Sequence, residues 1–426
     1  MQSITSAGNH TVDARRRASA APPRPAPRHI ARRFACLLGL LLVACASTDT
    51  PKEEADQAAV ARLRSAGYAY ARESGVAVRQ ISAQGADRTV RYNLAAAPAR
   101  GAKRPVIVYL PPLGDSSTTE CRWIDLWAGA GYAVLAIQPL EDDARIWTSA
   151  EARSGDFARV GRARFGDEVM ADRVTRLAHL LADLRSRGDA GEAPLAGLDW
   201  TRLALAGADL GAYTVQTIAA LSPQRRAALE WTLAPGAYLA ISPYARRDGG
   251  AEAAAVPMLM VSSPNDVDAY GVVADPALRR IAFARAAPGD AYFLELSPVS
   301  HRWLAGIAPD QLNTPEALAR RTPVFREPGV DNRGRDFRAE AHFAPVSDDE
   351  PPVLPESGVG SRAQRDIQLA EARNRQLTQR AMNEVRLEEV SVAFFDAYVR
   401  RDPRARAWLR ESAAAWIEGG GGLDLK

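Results

Sequence analysis

Three short segments carry side chains whose types and placement could do chemistry together. Gly207-Ala208-Asp209-Leu210-Gly211 sets an acid between small residues, directly after one apolar run and before a helix-like stretch. Asn265-Asp266-Val267-Asp268 follows a second apolar run and offers two more acids. His301 follows a third, beyond Ser297-Pro298-Val299-Ser300. An acid pushed out by a sharp turn can attack carbon or accept a proton. An imidazole can activate water, and a further acid can orient that imidazole and support its charge. Two other histidines follow residue 45: His179 on the polar side of a helical segment and His342 in a proline-rich stretch. His301 is therefore the candidate base. Asp266 is its candidate orienter, with Asp268 as the alternative.

These residues need a frame that brings strand ends together. Val106 to Leu110, Ala133 to Ile137, Leu203 to Ala206, Tyr238 to Ile241, Met258 to Val261 and Tyr292 to Leu296 are short uninterrupted apolar runs. Between them lie segments of helical period, such as 118–130, 165–187 and 211–221. Apolar strands alternating with helices predict an α/β fold: a mostly parallel sheet covered by helices on both faces. Residues 76–81 and 89–94 flank a Gln84-Gly85-Ala86-Asp87 turn and predict an N-terminal antiparallel hairpin. In such a sheet reactive groups gather at the carboxyl ends of strands, which is where all three segments fall.

The phrases Ala130-Gly131-Tyr132-Ala133-Val134-Leu135-Ala136, Leu205 through Thr214, Pro257 through Asp266 with Tyr270-Gly271, Pro288-Gly289-Asp290 through His301 with Gly306, and Phe394-Phe395-Asp396-Ala397-Tyr398 together resemble the α/β-hydrolase superfamily. Its dienelactone-hydrolase-like and platelet-activating-factor-acetylhydrolase-like esterases are the most similar. The resemblance covers about residues 75–310 and 385–412. It implies an α/β-hydrolase fold, a nucleophile elbow of the type G-x-S-x-G, and triad partners in the order nucleophile, acid, His. Asp209, Asp266 and His301 stand in that order. The backbone N–H groups of Leu210 and Leu113 stand where the resemblance implies an oxyanion hole.

Two departures from the pattern bear on activity. Asp209 replaces the nucleophilic Ser. With an ordinary carboxylate pKa of about 3.9 it is ionised at neutral pH, and it could attack directly or act as a general base. Haloalkane dehalogenases and epoxide hydrolases of this fold use Asp as nucleophile, with Trp following it, where this chain has Leu210. Attack on a carboxylic ester would give a costly mixed anhydride, so substitution at saturated carbon suits Asp better. Secondly, Pro111-Pro112 stand where the family has His-Gly, and proline has no N–H to donate. Two functions stay open: a hydrolase acting on a small ester-like or alkyl substrate, and an inactive scaffold that binds a ligand or partner.

The net charge of +3 has two parts. Residues 1–44 hold seven Arg and one acid, a net +6, which leaves the rest at −3. A basic groove for nucleic acid has little support in that remainder. Arg32-Arg33 precede an uncharged run of 11 residues, Phe34 to Ala44, too short to span a bilayer and suited to a signal-peptide core. Leu42-Val43-Ala44-Cys45 resembles a bacterial lipobox. It implies cleavage before Cys45, lipidation of its sulfur, a membrane anchor, and a periplasm-facing place in the cell envelope. Ala46-Ser47 after it favours the outer membrane.

The expected organisation is a signal peptide (1–44), a lipidated tether and N-terminal helix (45–74), an α/β-hydrolase core (75–310), and an insertion (311–384), disordered around 323–363. A C-terminal helix (385–415) completes the core and a flexible, glycine-rich tail (416–426) follows. No His/Cys cluster has metal-ligand spacing and no G-x-G-x-x-G follows a strand, so neither a metal nor a cofactor is expected. Cys121 reads as a small buried hydrophobe without catalytic role. Tyr and Trp residues look scattered. The expected partners are a small-molecule substrate or ligand and, through Cys45, the membrane; the oligomeric state is not legible.

Overall fold

The computed structural model describes residues 51–73, 75–84, 89–96, 101–117, 121–244, 256–307 and 362–426. The leader, Cys45, the tether and nearly all of the stretch expected to be disordered lie outside the described residues. The chain divides into two units, Met1–Ala55 and Asp56–Lys426. The second holds the sheet.

That sheet has nine strands: β1 (Ala77–Gln84), β2 (Thr89–Ala96), β3 (Arg104–Leu110), β4 (Ala133–Pro139), β5 (Leu198–Ala208), β6 (Ala237–Ile241), β7 (Met258–Ser262), β8 (Ala291–Leu296) and β9 (Gly421–Leu425). Their spatial order is β1-β2-β4-β3-β5-β6-β7-β8-β9. β3 to β8 run parallel. The β1–β2 hairpin joins antiparallel to β4 on one edge, and β9 closes the other. This is the α/β-hydrolase architecture that the resemblance implies. All six apolar runs are strands of the parallel part.

Side-chain alternation assigns the two faces. On β3, Val106, Val108 and Leu110 pack into one apolar cluster, while Ile107 and Tyr109 pack into the other. The helices follow the same division. We name α1 (Pro51–Ala66), α2 (Arg122–Gly129), α3 (Phe157–Arg164), α4 (Asp167–Asp189), α5 (Leu210–Ala219), α6 (Arg362–Tyr398) and α7 (Pro403–Glu411). Met170, Val174, Leu177, Leu181 and Leu184 of α4 cover the first face with Val215 and Ile218 of α5. Trp123 and Trp127 of α2, Phe394 and Phe395 of α6, and Leu409 of α7 cover the second. Both faces are sealed, which is why the strands carry apolar residues without interruption.

Two expectations are corrected at the C-terminus. The boundary at 385 falls inside the continuous helix α6. The expected flexible tail 416–426 is instead ordered: the helix Ala413–Ile417 runs into it, and then β9 forms. Four consecutive glycines suggested floppiness, but the pairing needs one of them, Gly421. Gly421 has φ +144°, and a side chain there would meet the Glu295 carbonyl at 2.0 Å. The Ser297 N–H donates to the Gly420 carbonyl at 2.9 Å and the Gly289 N–H to the Lys426 carbonyl at 2.8 Å. Leu423 is buried at the centre of β9. Gly421→Val should therefore cost about 1–3 kcal/mol from backbone strain alone. Gly422→Val, where nothing lies within 4 Å, should stay within about 0.5 kcal/mol of wild type. Denaturant unfolding of both variants checks this; equal effects would contradict the packing.

Candidate active site

The first functional segment is a strained elbow. β5 ends at Ala208, Asp209 follows with φ 52° and ψ −113°, and α5 starts at Leu210. Left-handed φ at a non-glycine residue is costly and must be imposed by its surroundings. Here the two flanking glycines allow it. A side chain on Gly207 would strike the Gly211 backbone at 2.4 Å, and one on Gly211 would strike the Leu110 carbonyl at 1.9 Å. The Asp209 N–H donates to the Ile241 carbonyl at 3.1 Å, which ties the elbow to β6.

The elbow delivers the carboxylate to the start of α5, where helix N–H groups point outward and favour negative charge. Asp209 Oδ2 accepts the backbone N–H of Leu113 at 3.3 Å. Of the two groups expected to form an oxyanion hole, the Leu113 N–H is taken by Asp209, and Leu210 opens α5 directly after it. Proline at 111 and 112 does not remove the Leu113 donor. The loop is pinned instead by its carbonyls. Pro112 O accepts from Gln138 Nε2 at 2.8 Å, and Leu113 O accepts from the Tyr270 hydroxyl at 2.8 Å. The Gly114 N–H donates to the Asp142 carbonyl at 2.9 Å. Buried Arg173 backs this arrangement, bonding the Asp142 carboxylate, Gln138 Oε1 and Thr214 Oγ1.

His301 opens the short helix His301–Leu304, capped by Ser300. Its Nε2 lies 3.7 Å from Asp209 Oδ1, and its Nδ1 lies 2.6 Å from Asp266 Oδ1. The structure therefore brings Asp209, His301 and Asp266 together and separates Asp268. Asp268 accepts backbone N–H groups from Tyr270, Val272 and Val273 and shapes its own loop. The short Nδ1 contact to a carboxylate places the ring proton on Nδ1 and leaves the Nε2 lone pair toward Asp209.

Three residues holding Asp266 escaped the sequence reading. Ser242 Oγ donates to Oδ1 and Ser262 Oγ to Oδ2, each at 2.9 Å. Arg279, itself buried, places Nε 3.0 Å from Oδ2 and donates to the carbonyls of Ser242 and Pro243. Ser242 and Ser262 sit at the carboxyl ends of β6 and β7, so inspection of small polar residues at strand ends would have found them. Arg279 has no such signal; in sequence it is one of two adjacent arginines.

These contacts set the electrostatics. Burial alone would raise Asp266, but Arg279, the His301 hydrogen bond and Ser262 hold it below the ordinary carboxylate range. Burial would lower His301, but the Asp266 hydrogen bond and the charges of Asp266 and Asp209 carry it above 6.5. Burial raises Asp209 above the ordinary range, with Asp268 adding to the shift and His301, Arg279 and the Leu210 N–H opposing it. Treating Asp209 as an ordinary exposed carboxylate is thus corrected: it is desolvated and more basic.

The aromatic residues are not scattered. Tyr270 stacks on Trp147 with ring centres 6.1 Å apart and lies 6.4 Å from Phe165, which stacks on Tyr213 of α5. The Tyr270 hydroxyl donates to Leu113 O and the Leu113 N–H donates to Asp209, so the cluster meets the elbow through this loop. Cys121 is buried and packs by Tyr109, with its thiol pushed up to about 11 by burial. Among the described residues no group of His, Cys, Asp and Glu is arranged to hold a metal.

Comparison with known proteins adds little. No family model matches the chain, and no curated protein matches it. Among solved structures it is similar to a protein titled "putative carboxylesterase" from Lactobacillus plantarum, at 14% identity and a TM-score of 0.37, over 53% of this chain and 88% of that one.

His301 should titrate above 6.5 by NMR of its ring. Its raised value stabilises the fold below 6.5, and that increment is lost as pH rises through the folded value. Asp266→Asn should move the midpoint below 6.5, because burial then dominates. It should also cost about 3–5 kcal/mol by leaving Arg279 without its counter-charge. An unmoved midpoint would contradict the assigned contact.

Proposed function

We propose that this chain is a hydrolase that displaces a leaving group from a saturated carbon, with Asp209 as nucleophile and His301–Asp266 as the water-activating pair. One observation carries the reading: Asp209 Oδ2 occupies the Leu113 donor while Oδ1 faces His301. A substrate ester carbonyl would need that same donor for its developing oxyanion, so the arrangement favours alkyl over acyl chemistry.

The first step forms a bond from Asp209 Oδ1 to the substrate carbon, and the leaving group departs with its electron pair. A desolvated, more basic carboxylate suits that attack on an apolar substrate. The product is an alkyl ester of Asp209 whose carbonyl oxygen is Oδ2. In the second step His301 Nε2 takes a proton from water and the oxygen attacks Asp209 Cγ. The charge that develops on Oδ2 meets the Leu113 N–H already bound to it, at the N-terminus of α5. The ester bond then breaks, His301 returns its proton to the departing alcohol oxygen, and the carboxylate keeps one oxygen from water.

The pKa coupling supports this order. The Asp209 charge helps to hold His301 up. Alkylation removes that charge, so His301 falls toward its neutral form at the stage where a base is required.

The placement of the protein is a separate part of the proposal. The Leu42-Val43-Ala44-Cys45 segment behind a cationic, apolar leader supports lipidation at Cys45 and anchoring in the cell envelope. Among the described residues no helix is long and apolar enough to cross a membrane. Kinship to dienelactone-hydrolase-like and platelet-activating-factor-acetylhydrolase-like esterases stands on the sequence phrases quoted above. The scaffold reading is favoured by one fact, that Asp209 occupies the Leu113 donor a second oxyanion would need.

Turnover of 1-bromobutane and of short aryl esters by wild type, His301→Gln, Asp209→Asn and Asp209→Ser separates these readings. The proposal expects bromide release by wild type and none by Asp209→Asn. His301→Gln should lose about 10²–10⁴-fold in turnover and accumulate a butyl adduct on Asp209, visible by mass spectrometry. A wild type inert on the bromoalkane, with Asp209→Ser gaining aryl-ester hydrolysis, would overturn it in favour of a disabled serine hydrolase.

A further inference from the structure

Asp266 spends both of its oxygens. Oδ1 accepts from His301 Nδ1 at 2.6 Å and from Ser242 Oγ at 2.9 Å. Oδ2 accepts from Ser262 Oγ at 2.9 Å and faces Arg279 Nε at 3.0 Å. The acceptor positions of a carboxylate are then filled. Its one negative charge serves two cationic groups, Arg279 and the imidazolium of His301.

Arg279 is placed there by more than Asp266. It ends the 3-10 helix Pro276–Arg279, which Asp275 caps, and its side chain is 2% exposed. Nη1 donates to the carbonyls of Ser242 and Pro243 at 2.9 and 3.1 Å, and Nε to the Asp266 carbonyl at 3.2 Å. Carbonyls hold a guanidinium without cancelling its charge, and a guanidinium keeps its proton in proteins. Nη2 then stands 3.4 Å from His301 Nδ1. With the ring proton on Nδ1, two donors face each other, so this approach disfavours a second proton on the ring.

The charged groups facing His301 are Asp266 after β7, Asp209 after β5, and Arg279. Arg302 follows on the same short helix, and neither acid pairs with it among the described residues. With both acids ionised, the set is neutral when His301 is protonated. Alkylation of Asp209 removes one negative charge. The set is then neutral only when His301 is neutral, because Arg279 alone balances Asp266. Without Arg279, the balanced state after alkylation would pair Asp266 with a protonated His301, which cannot take a proton from water.

We propose that Arg279 is a positioning residue for the second step: it takes up the charge of Asp266 once Asp209 is alkylated, and so leaves His301 Nε2 free to deprotonate the water that attacks Asp209 Cγ. This role rests on the hydrolase reading. The charge balance beneath it can be measured without turnover.

The His301 ring is titrated by NMR in the full chain, its signal identified by its loss in His301→Gln. Asp209→Asn, a neutral stand-in for the alkylated carboxylate, should bring the midpoint below 6.5. Adding Arg279→Gln to Asp209→Asn should raise it again by about one pH unit. Adding Arg279→Lys, which keeps the charge, should leave it within about 0.5 of Asp209→Asn alone. With 1-bromobutane, Arg279→Gln should release its first bromide at about the wild-type rate, yet hydrolyse the butyl adduct about 10-fold more slowly at pH 7. Raising the pH should close that deficit. A merely structural role would slow both steps together and leave the pH dependence unmoved. An Asp209→Asn midpoint above 6.5 overturns the proposal with Arg279 still in place, as does a folded Asp209→Asn/Arg279→Gln variant with no rise. A wild type inert on the bromoalkane overturns the hydrolase reading, and the role in its second step with it, while the midpoints still report the charge balance.

Discussion

The contact on which the rest turns is the backbone N–H of Leu113 donating to Asp209 Oδ2 at 3.3 Å. It fixes which carboxylate oxygen is held and which faces His301. Its geometry depends on both ends being rigid. At one end the elbow forces Asp209 to φ 52°, a conformation worth about 1–3 kcal/mol of strain that the flanking glycines and the Ile241 carbonyl sustain. At the other end, Gln138, Tyr270 and the Asp142 carbonyl pin the loop 111–114, with Arg173 behind them. The parallel sheet brings the two ends together, because β3 and β5 pair in register from Val106–Leu203 to Leu110–Gly207.

The charges of the site form one coupled set. Asp266 is held ionised by Arg279 and two serine hydroxyls, and it holds the Nδ1 proton of His301. His301 in turn is supported by Asp209 and opposes the desolvation of that carboxylate. A change of charge at Asp209 therefore reaches His301 directly across 3.7 Å. In the proposed two-step chemistry this coupling would set the sequence of the steps.

Much of the frame was legible in the sequence, for a physical reason. Strands buried on both faces must be apolar throughout, so six runs such as Val106 to Leu110 declare themselves. The elbow was legible because only small residues at 207 and 211 fit between β3 and α5. Two kinds of feature were hidden. β9 was hidden because its pairing rests on backbone groups and on absent side chains, and Gly419 to Gly422 look the same in a loose tail. Arg279 and Arg173 were hidden because burial of a charged side chain depends on partners far apart in the chain, such as Asp266 and Asp142. The choice between Asp266 and Asp268 was equally invisible, since the two acids differ only in which way the loop turns them.

The central claim, that Asp209 forms and loses a bond to substrate while its Oδ2 stays on Leu113, is tested most directly by isotope. In a single turnover of 1-bromobutane in oxygen-18 water with enzyme in excess, the account predicts one oxygen-18 in the Asp209 carboxylate and unlabelled oxygen in the first butanol released. Label in the butanol with none in the Asp209 peptide would contradict it, as would the absence of any turnover.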